Sequence, residues 1–222
     1  MTVAGSNFTG NTLSGMTAFS AAAEVGSSRF AGSPTGIEAA ESRLTLRGSD
    51  VDRNRTGLLC SRSVCDVRGT TVHRSGTGVQ TVQGRLVLRS DEVRGNDVGV
   101  AVNATGGAGP DEVALNHISG NGTGVLVGSL ADVSVQRNRI DGNGVGIATA
   151  PGTTGYRLTA ERNTLDRNHD GMLLDAGLAR LGRDVVRDST DWGIRAPGAV
   201  DLGGNVGTGN GHVPQCLGVT CS

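Results

Sequence analysis

The chain has 222 residues, a formal net charge of −1, 37 glycines, 18% charged and 2% aromatic residues. Every basic residue but His is Arg, in the manner of a GC-rich bacterial genome, and no basic block exists to attract nucleic acid or an acidic membrane surface. No apolar run is long enough to span a membrane, and the opening MTVAGSNFTGNTLSG lies inside a repeat, so a leader and a cap or earlier coils are expected to precede it.

In chain order, one unit recurs from end to end. Its clearest copy is DVSVQRNRIDGNGVGIAT at 132–149. The glycines aligned with Gly146 are Gly15, Gly36, Gly57, Gly78, Gly99, Gly124, Gly171 and Gly193, in steps of about 21 to 25 residues. Within the unit, Val133 and Val135 alternate with polar residues, Ile140 lies between Arg139 and Asp141, and a third apolar segment covers 146–149. The same places are held by Leu44, Leu46, Val51 and Leu58, by Leu86, Leu88, Val93 and Val100, and by Leu158, Ala160, Leu165 and Met172. Three period-two segments per repeat predict a triangular rung of three parallel strands, whose aliphatic side chains pack against the rungs on either side. The density of Gly and Asn opposes a helical alternative.

Two polar columns accompany the repeat. One contains Asn7, Asn116, Asn138 and Asn163, with Ser28, Ser49, Thr70 and Asp91 in other rungs; the second contains Asn54, Asn96, Asn121, Asn143 and Asn168. Side chains stacked at tight turns explain both columns better than a ligand row does. Cys60 and Cys65 fall in the third rung and Cys216 and Cys221 after the last, about 34 Å away at about 4.8 Å per rung. They cannot share a metal, and their C-x4-C spacing is not that of a structural zinc site. Two local disulfides are predicted, and with them an oxidising compartment, secreted or cell-surface. Residues 211–222 then form a cross-linked cap on a repeat body at 1–210.

This pattern resembles the right-handed parallel β-helix proteins of the pectate-lyase-like superfamily. The resemblance implies an all-β solenoid of about nine to ten rungs. That superfamily includes polysaccharide lyases, glycoside hydrolases, uronate epimerases, phage tailspikes and surface proteins, so a polysaccharide or cell-surface glycan is the implied partner while the activity stays open. If the Asn138 column is the turn between second and third strands, as in that family, the 146–149 column is the first strand, where the family's lyases carry their cleft. Its outward positions read Glu38, Leu59, Gln80, Ala101, Leu126, Ala148, Leu173 and Arg195. Neither a carboxylate cluster for calcium nor paired Arg stands there. The run Ala101, Leu126, Ala148 and Leu173 reads as a contact surface or an apolar floor for substrate.

The candidate catalytic group flanks Val93, Ile118 and Ile140. Glu92 and Arg94, His117 and Ser119, and Arg139 and Asp141 are outward neighbours on three successive rungs. His117 between acids and arginines has the equipment to move a proton beside a uronate carboxylate; a solvated face of alternating charges uses the same residues. Asp50, Asp52, Asp141 and Asp166 are further carboxylates for a glycosidase pair. Extra residues at 103–111 and 150–155 form two inserted loops. The first contains GGAGPDEVA, a single match to a calcium nonapeptide, with Asp111 and Glu112 as the donors if Ca2+ binds. Tyr156 and Trp192 are candidate sugar-stacking residues, whereas His73, His169 and His212 are expected at scattered surface positions.

Three functions remain open on these residues: an exported module that binds or modifies an acidic polysaccharide, a non-catalytic surface or assembly scaffold, and an apolar small-molecule pocket between the loops. A homo-oligomer is compatible with each.

Overall fold

The computed structural model describes residues 1–106, 109–175 and 177–222. The chain winds through ten rungs, each contributing one strand to each of three ten-stranded parallel sheets. In the third rung, Arg43–Arg47 lies in sheet A, Asp50–Asp52 in sheet B and Thr56–Ser61 in sheet C. This is the parallel β-helix predicted by the repeat. Among the described residues there is no helix.

Each rung points its aliphatic residues inward. Leu44, Leu46, Val51, Leu58 and Cys60 of the third rung, and Cys65, Val67, Val72 and Val79 of the fourth, are all 0% exposed. A single rung has no second layer to cover these side chains, so burial is achieved only by stacking. The recurring glycine follows from the same crowding. A Cβ on Gly57 would lie 2.5 Å from the Gly78 carbonyl oxygen and 3.1 Å from methyls of Val51 and Val72.

At the corner between sheets A and B, each rung donates a backbone N–H to a polar side chain of the next. Thr70 donates to Asp91 Oδ1 at 2.7 Å, Asp91 to Asn116 at 2.9 Å, Asn116 to Asn138 at 2.9 Å and Asn138 to Asn163 at 3.0 Å. A second ladder at the corner between B and C runs through Asn96, Asn121, Asn143 and Asn168. These columns satisfy buried backbone groups. One position differs from expectation: Ser6, not Asn7, starts the first ladder by donating to Ser28, and Asn7 faces outward beside Arg29. The step from Ser6 to Ser28 is one residue longer than that between the glycine anchors, which shifts the register.

Both disulfides form. Cys60–Cys65 joins sheet C of the third rung to sheet A of the fourth inside the core, and Cys216–Cys221 closes the C-terminal end. Cys216–Leu217 pairs with Ile194–Arg195 as the last strand of sheet C, so part of the 211–222 segment belongs to the tenth rung.

Candidate functional site

Sheet B presents two outward columns. One runs Arg29, Asp50, Thr71, Glu92, His117, Arg139 and Thr164; the other runs Asp52, His73, Arg94, Ser119, Asp141, Asp166 and Arg187. Strand alternation puts each pair of outward residues on either side of one buried Val, Ile or Leu, so every rung of this stretch carries polar or charged groups on its outer face.

The structure brings together the residues named from sequence. His117 Nε2 lies 2.7 Å from Asp141 Oδ1, and Arg139 Nε donates to the same oxygen at 3.0 Å. On the strand next to that of His117, Arg94 Nε lies 3.0 Å from Glu92 Oε1. The His117 side chain is 45% exposed and Asp141 only 16%, so a partly sheltered carboxylate orients an imidazole that solvent or a ligand reaches. A carboxylate holding one ring nitrogen leaves the other for proton transfer.

A second centre on the same face involves a residue expected at the surface. His73 is 6% exposed, with Nε2 2.7 Å from Asp50 Oδ1 and Nδ1 3.6 Å from Asp52 Oδ1. Asp52 is 0% exposed; Arg29 Nη2 and Arg74 Nε each lie 2.8 Å from its oxygens, and Arg53 lies 3.8 Å away. Burial pushes the Asp52 carboxyl up, but the Arg74 hydrogen bond and the charges of His73, Arg74 and Arg53 together hold it below the usual carboxylate range. Arg53 and Arg74 adopt φ of 50° and 52° at a corner where Gly95, Gly120 and Gly142 stand in later rungs. Non-glycine residues in this left-handed region carry strain, which here aims two guanidinium groups at Asp52. The burial of His73 was missed because isolated histidines default to the surface. Counting one rung back from His73 to Asp52 was the available signal.

Beside this centre an open groove of about 550 Å³ follows the corner between sheets A and B. Its lining includes Gly5, Ser28, Arg29, Ser49, Asp50 and Thr71. The turn residues here are Gly5, Ser27, Gly48 and Gly69, small enough to leave the depression, whereas Arg137, Arg162 and Arg183 occupy the corresponding turns further along.

The remaining candidates do not join these centres. Ala101, Leu126, Ala148 and Leu173 form one outward column of sheet C, as the register predicts, with the two alanines 6% and 8% exposed. Tyr156 is 1% exposed and its hydroxyl donates to the Asp175 carbonyl, so it fills the core and offers no ring face to a sugar. Trp192 packs edge-on against His212, ring centroids 3.5 Å apart. The Asp111 carboxylate, 0% exposed, accepts the Leu86 N–H and the Thr105 hydroxyl, while Glu112 on the opposite strand face is paired with Arg89 at 2.6 Å. Neighbouring strand residues point to opposite faces, so these two carboxylates do not converge on one oxygen set in this structure. Gly107 and Ala108 of the nonapeptide lie outside the described residues.

With this geometry in place, comparisons with known proteins place the chain. A family model described as "Periplasmic copper-binding protein (NosD)" matches residues 3–159, more than half of the sequence. The chain belongs to the NosD family. No protein among the curated sequences matches it. Among solved structures, the periplasmic alginate epimerase AlgG is similar with a TM-score of 0.59 and 14% identity, over 87% of this chain. The chain spans 60% of the length of that structure. The A-module of a mannuronan C-5 epimerase from Azotobacter vinelandii aligns with a TM-score of 0.36 and 14% identity, over 96% of this chain and 75% of that one. At this identity the likeness to AlgG speaks for the shared β-helix.

The NosD description implies copper, and the donors present do not suit it. All four cysteines are consumed in disulfides, and Met16 and Met172 are buried in the core. Among the described residues no three His, Cys, Asp or Glu side chains converge on a metal-sized site. Copper sites draw on thiolate, thioether or clustered imidazole donors, and the described residues assemble none of these sets. A periplasmic family agrees with the two disulfides, and no helix of the described residues is long and apolar enough to cross a membrane.

Proposed function

We propose that this NosD-family chain is an exported β-helix module that binds or modifies an acidic polysaccharide along sheet B. The observation that carries this reading is the exposed His117 imidazole, held at 2.7 Å by Asp141 and flanked by Arg139 and, on the next strand, Arg94 and Glu92. Arginine recognises a carboxylate through its planar fork, and an imidazole near neutrality both takes and returns a proton. A uronate residue needs these two functions: anchoring of its carboxylate, and proton transfer at the adjacent carbon. Arg94 and Arg139 would anchor, His117 would act as acid or base, and Asp141 would keep it oriented. Arg29 and the groove along Asp50 and Thr71 extend the polar track toward the N-terminal rungs, giving a polymer more than one point of contact. That the similar structure AlgG is a periplasmic alginate epimerase supports an acidic polysaccharide as the class to test first. Secretion or cell-surface display belongs to the same proposal.

The test is a panel of uronate polymers assayed for binding, chain cleavage and change of sugar configuration. The wild type is expected to bind, and His117→Ala to keep binding while losing any turnover. Absence of binding and turnover across the panel would contradict the reading. It would favour a non-catalytic scaffold, which the mutual pairing of the sheet B charges also suits.

A further inference from the structure

The outer face of sheet C differs from the rest of the surface. Across rungs three to seven its outward residues are Thr56, Leu59 and Ser61, then Thr77, Gln80 and Val82, then Val98, Ala101 and Asn103, then Thr123 and Leu126, then Val145 and Ala148. None is charged, in a chain with 18% charged residues. In the central column charge resumes only at Glu38 in the second rung and Arg195 in the ninth, while the column of Thr56 and Val145 ends in the eighth rung at Asp170, whose carboxylate is 6% exposed and already held by His169 and the Trp192 N–H. A broad sheet face without charge, mixing aliphatic side chains with Thr, Ser, Gln and Asn, has the composition of a contact surface.

We propose that sheet C is the contact face of a two-fold homodimer, with the axis in the interface, parallel to the strands, between the fifth and sixth rungs. The column itself argues for this occupant. Rotation about that axis sets rung two against rung nine, three against eight, four against seven and five against six. Glu38 of one copy then meets Arg195 of the other at both ends. Leu59 meets Leu173, Gln80 meets Ala148, and Ala101 meets Leu126. Opposite charges face each other, and at two of the three inner steps a large side chain faces an alanine, as interdigitating sheet faces require. Shifting the axis by one rung loses the charge pairing. The two rods lie antiparallel, and sheet B of each copy stays open to solvent.

The size of the patch is sufficient. Rungs two to nine span about 34 Å along the rod and five strand residues span about 16 Å across it. This gives about 500 Å² per copy and about 1,000 Å² in total, where specific interfaces begin.

Sedimentation equilibrium from low to about 100 µM tests the proposal, with circular dichroism and melting curves confirming that each variant is folded. The wild type is expected to dimerise, and Ala101→Glu or Leu126→Arg to weaken the dimer at least about 100-fold by placing charge beside the axis. Glu38→Arg and Arg195→Glu should each weaken it about 10-fold, and the double variant should return to within about 3-fold of the wild type. A wild type that stays monomeric at 100 µM, a dimer indifferent to both axis substitutions, or a double variant no better than either single would overturn it. The first outcome would leave the face to a different partner, and the second would place the dimer contact elsewhere.

Discussion

Sheets B and C are built from the same ten rungs, with the same parallel register and the same aliphatic interior, yet their outer faces are opposites. Sheet B carries a polar or charged side chain on each rung from Arg29 to Arg187, organised around His73 and His117. Sheet C carries none over five rungs. The interior obeys the repeat because stacking leaves no alternative. The outer faces are free of that constraint, and their divergence is what motivates the two proposals: recognition of a charged ligand on B and contact with a second copy on C.

The largest expected effect breaks sheet B at its buried acid. Asp52→Ala removes the shared partner of Arg29, Arg74 and His73 and should cost about 3 kcal/mol in urea unfolding, the arginines being about half exposed, while Leu59→Ala on the exposed face of C should cost less than about 1 kcal/mol. Equal costs would remove the distinction between the faces. The interior common to both predicts the next effect. Gly124→Ala places a Cβ 2.6 Å from the Gly146 carbonyl oxygen and 3.3 Å from an Ile140 methyl, at a cost of about 2 to 3 kcal/mol.

Two buried acids sharpen the contrast through pH. Asp52, held below the usual range by its arginines, contributes stability above about pH 4 that is lost on acidification. Asp91, in the ladder between sheets A and B, behaves in the opposite sense. Burial pushes its carboxyl up to about 7, outweighing hydrogen bonds from the Thr70 and Arg89 backbone, with Asp66 adding to the rise and Arg68 opposing it. Its Oδ2 has no hydrogen-bond partner, whereas Nδ2 of Asn116 at the same ladder position donates to the Leu88 carbonyl. The folded state therefore favours the protonated acid. The contribution is full below about pH 4 and is lost as pH rises toward 7. Asp91→Asn should stabilise the protein by about 2 kcal/mol at pH 8 and by much less at pH 4, measured by urea unfolding at the two pH values. The smallest stability effect belongs to His117→Ala, within about 0.5 kcal/mol, because that side chain is half exposed.

The rungs, the three sheets, both disulfides and the strand register of the outward columns were legible in the sequence, because the period of Val, Leu, Ile and Gly is imposed by stacking itself. That register set Glu92, Arg94, His117, Arg139 and Asp141 on neighbouring rungs, whereas the diagonal contact of His117 with Asp141, past its register partner Arg139, came from the side chains. Burial on the outer face was not legible. His73 and Asp52 are covered by Arg29, Arg53 and Arg74, long side chains whose direction depends on corner conformations that periodicity does not encode. Tyr156, the one tyrosine of the chain, suits either sugar stacking or the filling of a rung, and its ring occupies core space. Asp111 and Glu112 were joined by a motif, and the strand separates them. In each case the repeat fixed the backbone, while the neighbour across the rung determined what the side chain does.

The account rests on sheet B as the recognition face, and calorimetric titration of a uronate polymer tests this most directly. Wild type, an Arg94→Ala/Arg139→Ala variant and a Thr77→Ala control on sheet C should be compared at one ionic strength. The account predicts binding by the wild type and the control, and a loss of at least about 10-fold in the double arginine variant. Equal affinity in all three, or a loss confined to the sheet C control, would contradict it.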